Sequence, residues 1–127
     1  MEIKLNRFKD PRGNLSVFED KSFEIRRVVL IVNLRSDETR AGFSLIHGNQ
    51  RIFCLSGAVK VRCSTGRDEF KEIILNRPDE GLIVPSGVWV ELLGVSSGAS
   101  VLSIHDTDYA ESDYVRDYTD FQNLWRV

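Results

Sequence analysis

Apolar and polar residues alternate with a period near two along almost all of this chain, and that period belongs to strands, whose successive side chains point to opposite faces. It predicts strands at Glu2 to Leu5, Leu15 to Phe18, Phe23 to Leu34, Gly42 to Leu45, Gln50 to Ser56, Ala58 to Cys63, Phe70 to Leu75, Gly81 to Val84, Val88 to Leu93 and Ser100 to His105. Turn chemistry separates them, as in Asp10-Pro11-Arg12-Gly13-Asn14, His47-Gly48-Asn49, Ser64-Thr65-Gly66 and Arg77-Pro78-Asp79-Glu80-Gly81. Many short strands at near-even spacing imply an all-β sandwich or barrel. Only the C-terminus changes period: Tyr114, Tyr118, Phe121 and Trp125 recur at helical spacing, with Ser112 placed to cap a helix starting at Asp113.

At 127 residues, with no linker, repeat or low-complexity tract, the chain reads as one domain, 1–127, able to bury a single core. Its 17 Lys+Arg and 19 Asp+Glu give a formal charge of −2, and no basic block suggests a nucleic-acid partner. No apolar run approaches the ~18 residues of a membrane span, and Met1-Glu2-Ile3-Lys4-Leu5 alternates where a signal peptide would be apolar. A cytoplasmic location is expected. If Ser56-Gly57 is a hairpin turn, Cys54 and Cys63 fall out of register for a disulfide, and reduced thiols fit that compartment.

The stretch from Gly42 to Gly57, followed by Pro85-Ser86-Gly87-Val88-Trp89-Val90, resembles the paired motifs of the cupin superfamily. The resemblance implies a jelly-roll barrel and places metal-binding histidines at Phe43, Leu45 and Val90 and an acidic ligand at Gln50. Hydrocarbon side chains offer no donor atoms, so no metal and no other cofactor is expected. By strand parity Gln50, Ile52 and Cys54 share a face, as do Phe43 with Leu45 and Val88 with Val90 and Leu92. Together they predict an apolar cavity floor.

The chain as a whole resembles the dTDP-4-dehydro-6-deoxyglucose 3,4-ketoisomerases, the FdtA/QdtA or WxcM-like type. The segments that carry this are Asp10 to Leu15, Phe23 to Val28, Gln50 to Gly57, Gly81 to Val84, Trp89 and Tyr109 to Tyr118. The resemblance implies a metal-free transfer of a keto group from carbon 4 to carbon 3 of a dTDP-linked hexose, by proton removal and return. Histidine suits that chemistry, with an ordinary pKa near ~6.5. The histidines that the resemblance implies fall on Phe43, Leu45 and Val90, and the tyrosines of its Arg-Val-Tyr-Tyr strand fall on Val29 and Leu30.

Among the remaining residues, the resemblance puts Arg12 and Arg40 near the sugar nucleotide, where a guanidinium fork fits diphosphate oxygens. Each also has a plainer role, at its turn or as a solvated charge. Gln50 faces inward, to bind a sugar oxygen or to satisfy the backbone. His47 shares parity with Phe43 and Leu45 and is a weak candidate for a displaced base, although it precedes a Gly-Asn turn. His105 reads as a structural or exposed strand end. Trp89, of opposite parity to Val90, reads as packing, and Cys54 as a small core residue. The resemblance also implies a homodimer, with Glu2 to Leu5 as an edge seeking a partner.

The leading expectation is a non-catalytic or catalytically altered relative that keeps a dTDP-hexose site. An active isomerase or epimerase using His47 or a tyrosine is the second reading. An interaction module or regulatory subunit for a sugar-biosynthetic enzyme is the third.

Overall fold

Two five-stranded antiparallel sheets face each other and enclose the core. The computed structural model describes residues 2–36 and 39–124. Twelve strands run in chain order: β1 (Glu2–Lys4), β2 (Asn6–Asp10), β3 (Gly13–Val17), β4 (Arg27–Leu34), β5 (Thr39–Leu45), β6 (Gln50–Ser56), β7 (Val59–Ser64), β8 (Phe70–Leu75), β9 (Glu80–Val84), β10 (Trp89–Gly94), β11 (Ala99–His105) and β12 (Tyr114–Val115). A 3-10 turn, Glu111–Asp113, precedes β12, and one helix, α1 (Tyr118–Leu124), follows it. The first sheet has the order β1-β9-β6-β11-β4, the second β12-β5-β10-β7-β8, and β2 pairs with β3 in a two-stranded sheet. This is a jelly roll whose sheets stay separate among the described residues.

Register explains what the core contains. Across the first sheet Gln50, His105 and Arg27 stand opposite one another, then Ile52, Ser103 and Val29. Across the second, Phe43, Val90 and Cys63 form one row. These rows face inward over a core of Leu34, Ile52, Cys54, Val59, Val61, Leu75, Leu92 and Val101. On the outer side of the first sheet, Phe23, Phe53 and Ile104 form a second cluster, closed by Ile3, Leu5 and Phe18. Gly81 lies opposite Phe53, where any β-carbon would collide with its ring.

Several expectations from the pattern need correcting. Ser56-Gly57 is not a hairpin turn, because β6 pairs with β9 and β11 while β7 pairs with β8 and β10. The chain crosses between sheets there, and Gly57 serves the crossing with φ +74° and a β-carbon site 3.1 Å from Ala99 Cα. Cys54 and Cys63 therefore sit in different sheets, both as free thiols. Asn6–Asp10, which alternation left unassigned, pairs with Gly13–Val17, and the strand expected from Phe23 begins only at Arg27.

The C-terminal helix also starts later than Ser112. Asp117 caps it, its Oδ1 accepting from the Asp120 amide at 3.0 Å, and Tyr114 lies in β12 instead. Tyr118 and Phe121 pack on the outer face of the second sheet, with ring centroids 5.3 and 5.7 Å from Trp89, and the Tyr118 hydroxyl meets Ser64 Oγ at 2.8 Å. Trp89 is buried there as packing, its Nε1 donating to Glu91 at 2.9 Å. Trp125 lies outside the described residues.

Candidate functional site

Between the sheets lies a small cavity of about 80 Å³ with two unlike walls. Phe43 from β5 and Val90 and Leu92 from β10 form one; Gln50 and Ile52 from β6, Ser103 and His105 from β11, and Val29 and Ile31 from β4 form the other. Tyr114 from β12 closes one end, its ring centroid 4.9 Å from that of Phe43. Phe43 and Val90 thus face the cavity as parity predicts. Leu45 does not border it, being buried beneath the turn at Gly48.

The cavity is not apolar throughout, contrary to the expectation from strand parity. A chain of hydrogen bonds crosses the first sheet at one end. Arg27 Nη1 donates to the Tyr114 hydroxyl at 2.8 Å, and Arg27 Nη2 lies 3.2 Å from His105 Nδ1. Arginine can only donate, so His105 Nδ1 must accept. The imidazole proton then sits on Nε2 and goes to Ser103 Oγ at 3.0 Å, and the serine hydroxyl donates to Gln50 Oε1 at 3.0 Å. One arrangement of protons satisfies every link.

Electrostatics agrees with that tautomer. Burial, reinforced by the positive charge of Arg27, pulls the His105 imidazole down to about 4, outweighing the opposite pull of Asp106 and Asp113. His105 is thus neutral at physiological pH. The residue read as a strand-end histidine is a buried part of the cavity wall. The signal available in sequence was its parity with Ser103 and Val101, which places it inward.

Gln50 occupies the cavity wall and satisfies Ser103, not the backbone. His47 is exposed and takes no part in the cavity; its turn is held by Asp113, which accepts from the amides of His47 and Gly48 at 2.6 and 3.2 Å. Arg40 lines a separate groove of about 460 Å³ with Arg35 and residues of β4, and Ile31 borders both groove and cavity. Arg12 stands at the exposed tip of the β2–β3 hairpin, its guanidinium 2.7 Å from Asp10 Oδ2. Within one chain Arg12 and Arg40 therefore do not share a pocket.

A third groove, also about 460 Å³, opens at the far gap between the sheets beside Cys63, Lys71, Glu72 and Val88. Burial pushes the Cys63 thiol up to about 11, so it has no thiolate character there. Among the described residues no cluster of three His, Cys, Asp or Glu side chains is placed to hold a metal ion.

Comparison with known proteins adds the context for this site. The profile of the FdtA family, described as WxcM-like, C-terminal, matches residues 2–126. The TDP-4-oxo-6-deoxy-alpha-D-glucose-3,4-oxoisomerase of Aneurinibacillus thermoaerophilus is 33% identical over 128 residues, spanning 96% of this chain and 91% of that protein. The sugar 3,4-ketoisomerase QdtA of Thermoanaerobacterium thermosaccharolyticum, solved with TDP, superposes with a TM-score of 0.92 at 34% identity, covering 98% of this chain and 92% of its own. A 3,4-ketoisomerase from Helicobacter canadensis gives a TM-score of 0.92 at 30% identity, with coverages of 98% and 95%.

Proposed function

Because this chain belongs to the FdtA, WxcM-like family of sugar 3,4-ketoisomerases, we propose that residues 1–127 act as a single sugar-nucleotide-binding domain of deoxysugar biosynthesis whose catalysis is altered or lost. One observation carries this reading. Phe43 and Val90, where the resemblance implies imidazoles, line the cavity as hydrocarbon. Neither can take or return a proton. Each general acid or base contributes ~10² to 10⁴-fold in rate, so turnover by the histidine route is negligible.

Binding of a TDP-linked 4-keto-6-deoxyhexose is supported by the relatives. QdtA is solved with TDP, and a variant of it with TDP-4-keto-6-deoxyglucose. The cavity, at about 80 Å³, is well below the ~300–1,000 Å³ of a ligand pocket. We therefore place only the reacting edge of the hexose there and the diphosphate in the adjoining groove, against Arg40.

Assembly follows from the exposed apolar residues. Val28, Leu30 and Val32 line up on the outer face of edge strand β4, and Phe8, Leu15 and Val17 are exposed on the β2–β3 hairpin. Such surface on a sheet edge suits a second copy, and we propose a homodimer in which the hairpin, with Arg12, docks on its partner. Two free thiols suit a cytoplasmic location.

The test is a thermal-shift titration with millimolar TDP together with a product assay on TDP-4-keto-6-deoxyglucose. Stabilisation without ketoisomerisation is expected, since a ligand of the folded state raises Tm by mass action. No shift refutes the binding role, and turnover at the rate of a histidine-bearing relative refutes altered catalysis.

A further inference from the structure

Tyr114 is the hydroxyl that faces the cavity from β12. Its oxygen is already occupied as an acceptor, because Arg27 Nη1 donates to it at 2.8 Å. The phenol proton has no acceptor among the described residues. Around the ring, among the described residues, lie the Arg116 guanidinium, its centre 4.4 Å from the centroid, Phe43 at 4.9 Å, and Tyr109 at 5.6 Å, whose hydroxyl is engaged with Glu111. Arg116 is itself held by Glu111 at 2.6 and 2.9 Å, so that carboxylate is engaged away from Tyr114. Among the described residues the acceptors nearest this end, His105 Nδ1, Gln50 Oε1 and Glu111, are each already engaged by another donor.

Resting on the sugar-nucleotide reading above, we propose that Tyr114, with Arg27 behind it, is the subsite for the ketone oxygen of the hexose and selects a keto sugar over its hydroxy counterpart. A ketone oxygen only accepts and is matched by the phenol proton. A hydroxyl at the same carbon can accept that proton too, but its own hydrogen then finds no acceptor, and a buried unpaired donor is costly. Arg27 enforces the asymmetry by filling the lone pair of Tyr114 that could otherwise accept.

His105 is a positioning residue in this arrangement. Its Nδ1 accepts from Nη2 while Nη1 holds Tyr114, so the imidazole sets the orientation of the guanidinium. Ser103 and Gln50 fix the ring from the other side.

Calorimetric titration separates the possibilities, using TDP, TDP-4-keto-6-deoxyglucose and the same sugar nucleotide reduced to the 4-alcohol. The wild type is expected to bind the keto sugar at least about tenfold more tightly than the alcohol, the worth of one satisfied against one unsatisfied polar contact. Tyr114→Phe brings the ratio close to one and leaves TDP affinity unchanged. Arg27→Met acts in the opposite sense, strengthening the alcohol by freeing the phenol to accept. His105→Leu lowers the keto preference, and His105→Gln, whose amide oxygen can accept from Arg27, restores it.

A wild type that binds TDP but does not discriminate, or a Tyr114→Phe variant with the ratio intact, overturns this subsite and leaves the binding role standing. A wild type that does not bind TDP overturns both.

Discussion

The two walls of the cavity were built by opposite chemistry. The wall on the second sheet, Phe43 with Val90 and Leu92, is hydrocarbon backed by the main core, and it excludes charge. The wall on the first sheet carries Gln50, Ser103 and His105, each buried and each paired, and it ends on a guanidinium and a phenol. Hydrocarbon on one wall therefore does not leave the cavity without polar groups. Ordered hydrogen-bonding groups come from the sheet opposite.

The largest effect comes from putting charge on the hydrocarbon wall. Val90 is 1% exposed and has no cation beside it in its row, so Val90→Asp buries an unpaired carboxylate and is expected to cost at least about 4 kcal/mol in urea denaturation. A cost below about 1 kcal/mol would mean that water already reaches this wall.

The polar wall gives the next effect, and it depends on pH. The native imidazole of His105 titrates near 4 and an unfolded one near 6.5, so the unfolded chain binds the extra proton first. The contribution of this group is then constant above about pH 6.5, falls as pH drops toward 4, and loses on the order of 3 kcal/mol across that window. The groups around the ring are Arg27 from β4, Ser103 from β11, Gln50 across the strand pair on β6, and Asp106 and Asp113, whose negative charges partly offset the penalty. His105→Gln should flatten this segment of a stability-against-pH curve; an unchanged slope would assign the acid sensitivity to other groups.

Ser103→Ala probes the same wall without a charge. It removes the acceptor of the His105 Nε2 proton and the donor to Gln50, with an expected cost of about 1–3 kcal/mol by chemical denaturation. A neutral result would mean that water replaces the hydroxyl.

The smallest expected change is at the hairpin tip. Arg12 is 91% exposed in its pair with Asp10, so Arg12→Gln should leave the urea-denaturation midpoint unchanged. If the hairpin brings Arg12 to the nucleotide across a dimer, TDP affinity falls in the same variant. Unchanged affinity would confine nucleotide contact to the groove at Arg40.

Strand alternation made most of the fold legible, because a period of two fixes both element type and facing side. It located the inward rows of β6 and β10 and set Trp89 on the face opposite Val90, but the inward row of β11 went unread. It could not say which strands pair. The crossing at Gly57 looks locally like a hairpin, and only the long-range partners of β6 and β7 separate them into two sheets. The C-terminal spacing of aromatics misled for a similar reason: Tyr114 is held in β12 by Leu45 across the strand pair, while Tyr118 and Phe121 belong to a helix capped by Asp117.

The site was half legible. Motif spacing drew notice to Phe43, Gln50 and Val90, which line the cavity, and to Leu45, which does not; strand parity drew notice to His47, which does not line it either. His105 lies outside the segments that carry the resemblance, and Tyr114, inside one, was read only for its helical spacing; the significance of both rests on Arg27 standing opposite one and reaching the other. That relation spans 78 and 87 residues of sequence, a separation no local pattern records.

The most direct test of the central claim is a crystal structure of the complex with TDP-4-keto-6-deoxyglucose. The diphosphate is expected beside Arg40 and the ketone oxygen within hydrogen-bonding distance of the Tyr114 hydroxyl, with Phe43 and Val90 against the opposite face of the sugar. A nucleotide bound instead in the far groove by Cys63 and Lys71, with the cavity untouched, would contradict it.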